Sequence, residues 1–494
     1  MAIDQYTTRY AAGAVLLTFI AGCSLQPVYQ RPALPVAGAF PVGQAYQAIA
    51  TKAGSTTLPA ADIGWRNFLP DPRLQRLVEL ALQNNRDLRV AVLNVEKVRA
   101  QYQIQRASLF PQVSGNAGGS DSGTPASVSS SHNATVSHDY SVGLSASWEI
   151  DFFGRLRSLS DAALEQYLAS ADARQAAEIL LVSQVADQYL GTLAYDEQLA
   201  LTQGTLQTAQ ASYKIVKLQF DTGTASELDL RLSQTTVEQA QVNYSAQLRL
   251  RAQAENALVL LVGQPLPRDL PQAVRLDAQP ILADIPAGLP SDLLQRRPDI
   301  LQAEATLRSE NANIGAARAA FFPRIALTGS LGTASATLGG LFAAGSSAWS
   351  FIPSLTLPIF NAGANQANLD VARIQKDIGI AQYEKTVQTA FREVADGLAA
   401  RGTYDDQLAA QQRYTAAQQR RFELANMLYT NGSDSYLNVL TAQTDLYAAQ
   451  QALITARLNR LTSLVDLYRA LGGGWLQHTG DAARSVDSPT LKAG

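Results

Sequence analysis

Along 140–150 the chain alternates between apolar and polar residues without a break. Tyr140, Val142, Leu144, Ala146, Trp148 and Ile150 fall on one face, and Ser141, Gly143, Ser145, Ser147 and Glu149 on the other. A period of two predicts a β-strand. The stretch 349–359 repeats the pattern with Trp349, Phe351, Leu355, Leu357 and Ile359, although Pro353 and Pro358 weaken it because proline donates no ladder hydrogen bond. Residues 325–331 alternate as well. Residues 112–120, mostly Gly, Ser and Asn, make the weakest of the four predicted strands. The segments 120–138 and 332–348, rich in Ser, Gly and Ala, are predicted as long loops.

Elsewhere the period changes. No proline occurs between Pro125 and Pro265 or between Pro358 and Pro489. Helix is therefore predicted without interruption over 155–220 and again over 366–429, each close to about 100 Å at roughly 1.5 Å per residue. Leu180, Gln184, Ala186, Leu190 and Leu193 recur at helical spacing, and Ala and Ser fill much of the rest. Such lengths imply helices packed side by side in an extended cylinder. Gly223 and Gly432 are predicted to end these helices in the left-handed conformation. Thr224 to Glu227 fits a capping box for the next helix, with Glu227 reaching back; in the second half Ser433 or Asp434 is predicted to cap.

The chain also repeats itself. Leu82 to Leu88 around Asp87 matches Leu294 to Ile300 around Asp299, and the same offset carries Phe110-Pro111 onto Phe322-Pro323. A slightly smaller offset carries Phe153-Gly154 onto Ala362-Gly363, Phe220 to Gly223 onto Tyr429 to Gly432, and Val262-Gly263 onto Leu471-Gly472. Each half thus runs helix, Phe-Pro break, two strands, one very long helix, glycine turn, helix. The expected organisation is a leader over 1–22, an extended segment over 23–72, a first repeat over 73–263, a linker over 264–292, a second repeat over 293–472 and a tail over 473–494.

Each longer strand would reach about 36 Å and, tilted, cover an apolar band of about 25 Å. Apolar residues would face outward and polar ones inward; the alternative is an ordinary sheet with its apolar face on a core. Four strands cannot close a barrel, since the smallest single-chain barrels need about eight. If these strands span a membrane, several chains share one barrel, and three chains give twelve strands.

Composition narrows the chemistry. With three histidines, one cysteine and two methionines, no internal disulfide forms and no Cys/His metal cluster can be built. A net charge of −3 provides no basic patch for nucleic acid. The segment 11–21 is apolar and too short to span a membrane, yet long enough for a signal-peptide core. It ends in Ile20-Ala21-Gly22-Cys23, small residues before a lone cysteine, which resembles a bacterial lipobox. Cys23 is then expected to carry covalent lipid (a diacylglycerol and an N-acyl chain); the alternative is a buried core cysteine. Ser24 is not the aspartate that resembles an inner-membrane retention signal, which favours the outer membrane.

The chain resembles the outer-membrane factor family of TolC/OprM type, in its lipoprotein branch. The matching residues include Cys23-Ser24-Leu25 with Tyr29 to Pro32, Asp62 to Arg66, Trp148 to Asp151 with Phe153 to Arg155, Gly288 to Asp299, Ala316 to Pro323, Ala390 to Gly402 and Ala470 to Trp475. The resemblance implies a mixed α and transmembrane β fold: a homotrimer with a twelve-stranded outer-membrane β-barrel, four strands per chain, continued by a twelve-helix periplasmic α-barrel with a mixed equatorial belt. It implies a passive exit channel for drugs that is not an enzyme and needs no cofactor. Its partners would be a periplasmic adaptor (a membrane fusion protein), an inner-membrane transporter of the resistance–nodulation–division (RND) class and outer-membrane lipid.

In that family the tunnel narrows where the helix after the second glycine turn lines the pore, and relatives carry aspartates there. Here the matching positions are Asn438 and Thr441, while Leu437 matches an apolar gate position. Leu437, Thr441 and Thr444 share one helical face, as do Asn438, Thr441 and Asp445. The expectation is a gate sealed by Leu437 with weak attraction for cations; Asp434, Asp445 or Asp229 would supply what charge remains. Glu149 and Asp151 form a conceivable carboxylate pair, and His132 and His138 lie in an expected loop, but no nucleophile–base set is present. Two other readings stay open: a channel serving a metal-efflux or type I secretion system, and a lipid-anchored periplasmic adaptor, which would need a different β domain and a single hairpin.

Overall fold

The computed structural model describes residues 24–46, 58–130, 132–282, 285, 293 and 296–481. The expected leader and Cys23 lie outside them, as do 47–57 of the extended segment, the end of the linker and the last part of the tail. The elements follow one another as α1 (Trp65–Phe68), α2 (Pro72–Asn84), α3 (Arg86–Ala107), β1 (Gln112–Thr124), β2 (Thr135–Ile150), α4 (Arg155–Asp221) and α5 (Glu227–Val262). Then come α6 (Pro298–Ala319), β3 (Arg324–Ser335), β4 (Ser347–Thr356), α7 (Ala364–Thr430) and α8 (Tyr436–Ala470). α4 and α7 are each 67 residues long, within two residues of the expected ends. Leu180, expected on the packed stripe of α4, is 44% exposed, whereas Ala186, Leu190 and Leu193 are buried.

The chain divides into two compact units that draw on both repeats. The first comprises Met1–Ala33, Asn94–Ser170 and Gln302–Glu384. It holds one antiparallel sheet in the order β1-β2-β3-β4. The first three strands outgrow their sequence pattern. β1 runs to Thr124 and β2 starts at Thr135, so the connection is 125–134 and not 120–138. β1 forms although it is rich in Gly and Ser because every residue from Gln112 to Thr124 is paired with β2. β4 stops at Thr356, short of Pro358, and Pro353 sits on an outer strand, where a missing N–H is tolerated.

The register sorts the sheet into two faces. Leu144 lies opposite Leu331 and Leu331 opposite Trp349; Ile150, Ile325 and Leu355 line up in the same way. These side chains cover no core: Leu144, Leu331 and Trp349 are 58%, 64% and 75% exposed. The other face is a polar ladder, with Ser114 and Ser145 hydroxyls 2.8 Å apart and Ser330 and Ser350 2.7 Å apart. Below the sheet, Glu149 accepts from Arg155 at 2.8 Å and from Arg324 at 2.7 Å. Asp151 accepts from the backbone N–H of Leu156 and Arg157, capping α4.

In the same unit the segment 24–31 lies antiparallel along α6. Arg318 donates to the Leu25 carbonyl at 3.2 Å, and Asn311 to the Pro27 carbonyl at 2.7 Å. Arg31 grips Glu304, which is 2% exposed, through bonds of 3.0 and 2.7 Å. Gly315 leaves room for this strap, since a Cβ there would lie 2.9 Å from Gln26.

The second unit comprises Leu34–Leu93, Ala171–Leu301 and Lys385–Gly494. Here the duplication shows in atoms. Asp196 pairs with Arg251 at 2.9 Å, and Asp405, in the matching place, with Arg460 at 2.5 Å. Gly263 and Gly472 end α5 and α8 at φ 76° and 82°. A Cβ on Gly263 would lie 2.4 Å from the Asn84 carbonyl oxygen, and one on Gly472 2.9 Å from that of Arg296. The chain start and end of this unit are laced together. Trp65 N–H donates to the Leu476 carbonyl at 2.8 Å, Tyr468 hydroxyl to the Ile63 carbonyl at 2.6 Å, and Phe68 stacks on Tyr468.

Candidate functional site

Two glycine turns in the second unit bring the expected constriction residues together. At the first, Gly223 has φ 78° and the Thr224 N–H bonds back to the Gln219 carbonyl at 2.8 Å. That closure holds Thr224 as the last residue of the α4 turn. The cap of α5 therefore falls two residues later than expected, on Ser226, with Asp229 and not Glu227 completing the box. Asp229 N–H donates to Ser226 Oγ at 3.1 Å, Ser226 N–H donates to Asp229 Oδ2 at 3.3 Å, and Glu227 pairs with Arg231.

At the second turn Gly432 has φ 71° and Ser433 N–H returns to the Leu428 carbonyl at 2.9 Å. Ser435 becomes the N-cap of α8 and makes no side-chain cap bond, so neither Ser433 nor Asp434 plays the expected part. The Asp434 carboxylate accepts from Ser435 N–H and from the Asn438 amide, both at 2.7 Å.

α8 then presents two unlike faces. Tyr436, Val439, Leu440, Ala442 and Leu446 are buried. Tyr436, Val439 and Leu440 form a cluster with Val216, on which Leu232, Phe422 and Tyr429 pack. Leu437, Asn438, Thr441 and Thr444 are exposed, Leu437 by 55%. The Thr441 and Thr444 hydroxyls donate to the Leu437 and Leu440 carbonyls at 2.9 Å. Their donors are spent on the helix itself, and the exposed stripe carries no net charge up to Asp445. Asp445, one turn beyond Thr441, is 2.6 Å from Arg421 of α7.

Two side-chain bonds tie the two hairpins together near these turns, and a third does so farther along α4 and α8. Tyr429 donates to Gln219 at 3.1 Å, Tyr436 to Ser233 at 3.3 Å, and the Thr202 and Tyr447 hydroxyls are 2.8 Å apart. The Tyr429 and Tyr436 rings lie 5.1 Å apart. Sequence reasoning missed all of these and Arg421 too, because each partner is set by a fold-level pairing and not by a motif.

Other candidates have structural partners. Glu149 and Asp151 are committed as described above, and His138 Nδ1 lies 2.6 Å from Asp121 across β1 and β2. A cleft of about 570 Å³ between α4, α8 and 273–276 is lined by Leu193, Glu197, Arg275, Ile454 and Arg457. Burial pushes the Glu197 carboxyl up, and Arg457 opposes it.

Comparison with known proteins places these features in context. The family model described as outer membrane efflux protein matches residues 77–264 and again 289–473, one match per repeat. The chain is 50% identical over 479 residues to the toluene efflux pump outer membrane protein TtgC of Pseudomonas putida, covering 96% of this chain and 98% of that one. It is 44% identical over 473 residues to the outer membrane protein OprJ of Pseudomonas aeruginosa, covering 94% and 96%. The crystal structure of the open state of the Neisseria gonorrhoeae MtrE outer membrane channel superposes with a TM-score of 0.82 at 41% identity, covering 93% of this chain and 100% of that one.

Proposed function

This chain belongs to the outer membrane efflux protein family, and we propose that it is the exit duct of a tripartite RND-type multidrug efflux pump. It is an outer-membrane protein. The observation that carries the reading is the sheet: an apolar face with no core beneath it, backed by a ladder of serines. No described helix is long and apolar enough to cross a membrane. The sheet takes the lipid contact, with Trp349 and Leu331 toward the acyl chains and the serines toward water. Because four strands cannot close, three chains form one twelve-stranded barrel. On the periplasmic side an adaptor and an inner-membrane RND transporter supply substrate and energy.

The duct narrows at the exposed face of α8. Leu437, repeated by threefold symmetry, forms an apolar ring, and Asn438, Thr441 and Thr444 form uncharged rings beyond it along α8. Opening separates the hairpins and breaks the bonds of Tyr429 to Gln219 and Tyr436 to Ser233. Lipid on Cys23 tethers each chain to the membrane through the strap.

The test is drug susceptibility in a strain lacking its own outer-membrane efflux channel, with this chain and a cognate pump and adaptor supplied together. Restored resistance, lost when Leu437 is replaced by cysteine and cross-linked, supports the duct. Correctly assembled trimers that restore nothing would assign the channel to another client system.

A further inference from the structure

We infer that Arg421 sets the ionic selectivity of the constriction, by masking Asp445, the carboxylate that follows Thr441 on the exposed face of α8. The inference rests on the reading that this face lines a pore. Asp445 follows Asn438 and Thr441 on one helical face, at spacings of seven and four residues. Repeated by symmetry it would make a ring of carboxylates, and such rings attract cations. Arg421 reaches across from α7 and holds the Asp445 carboxylate at 2.6 Å. Both side chains are about half exposed, so the pair works by cancelling charge at one level of the duct, not by adding much stability.

Several neighbouring charges are paired among themselves. Lys217 neutralises Asp221, Arg231 neutralises Glu227, and Arg420 neutralises Glu423. Asp229 and Asp434 lie at the two turns, bound to Ser226 and to Asn438, and Glu238 and Lys214 stand exposed on α5 and α4. On α8 itself, the charge at the Thr441–Asp445 level depends on whether Arg421 holds Asp445.

Purified trimers in planar lipid bilayers under a potassium chloride gradient give the test, read as the reversal potential. Arg421→Gln raises the potassium-to-chloride permeability ratio by about twofold or more, and Arg421→Gln with Asp445→Asn returns it to the unmodified value. Asp445→Asn alone leaves Arg421 unmasked and lowers the ratio, which keeps the proposal testable if Arg421→Gln fails to assemble. Arg421→Lys, which keeps the charge, leaves the ratio where it was. An unchanged ratio in Arg421→Gln, or a rise that survives the added Asp445→Asn, overturns the role of Arg421. Assembled trimers that conduct no ions even when Tyr429→Phe and Tyr436→Phe remove the bonds to Gln219 and Ser233 overturn the pore reading itself.

Discussion

Arg297 Nη1 lies 2.9 Å from the carbonyl oxygen of Ala470, the residue that ends α8. Asn85 makes the matching bond in the first repeat, 2.9 Å to the Leu261 carbonyl near the end of α5. One junction has thus been built twice with different side chains. The arginine adds ion pairs to Asp299 at 2.6 Å and to Glu393 at 2.9 Å while only 6% exposed. Burial alone would lower its pKa; Asp299 and Glu393 outweigh burial and raise it.

Arg297→Ala removes a buried cation and takes a partner from Asp299 and from Glu393, the latter keeping Arg469 at 3.9 Å. It is expected to cost about 3–5 kcal/mol, against about 1–2 kcal/mol for Asn85→Ala. Denaturant unfolding of the two variants beside the unmodified protein checks the order, and equal losses would contradict it.

The glycines separate two effects. Gly263→Ala and Gly472→Ala combine a left-handed backbone with a backbone clash, so each costs well above the roughly 1–2 kcal/mol that left-handed geometry alone imposes. Gly223→Ala and Gly432→Ala meet open space and cost only that geometric share. Melting temperatures of the four variants should fall into these two pairs.

Arg31→Ala frees the strap. The lost charge-assisted bonds to Glu304 are worth roughly 2 kcal/mol, so chymotrypsin cleavage at Tyr29 is expected to quicken by over tenfold while the rest of the chain keeps its resistance. A cleavage rate equal to that of the unmodified protein would mean that the backbone bonds from Asn311 and Arg318 suffice.

Asp187 gives a pH dependence. Burial first and Asp466 second push its carboxyl from the ordinary 3.8 up to about 7, with Arg469 opposing, and its Oδ1 is buried without a partner. The folded state therefore holds a proton that the unfolded chain has lost. Its contribution is largest below pH 4, declines from there through pH 7 and is absent above. Asp187→Asn should gain stability relative to the unmodified protein across that window, and parallel melting curves from pH 4 to pH 8 would refute it.

Much of this was legible in the chain. The strands of 140–150 and 325–331 announce themselves by alternation, and the proline-free spans give both 67-residue helices nearly to their ends. The paired glycines at 223 and 432, and at 263 and 472, declared the duplication that the backbone angles repeat. β1 was harder, because Gly and Ser carry little strand preference and its order comes from its partner strand. The caps shifted because the bond from Thr224 to Gln219 extends the helix end, a local competition that composition does not reveal. At the constriction the α8 residues were readable by spacing, but Arg421 lies 24 positions from Asp445 and is brought near only by the α7–α8 pairing.

β1 and β4 each have one strand neighbour within the chain, and their outer edges need another copy. The barrel is consequently a shared possession, and damage to one subunit is inherited by the whole. In a cell making equal amounts of sound and edge-defective chains, only about one assembly in eight would be wholly sound if chains mix at random. A mutation that spoils an edge without preventing assembly should therefore behave as genetically dominant, and co-expression would disarm a pump that still has its full supply of good subunits.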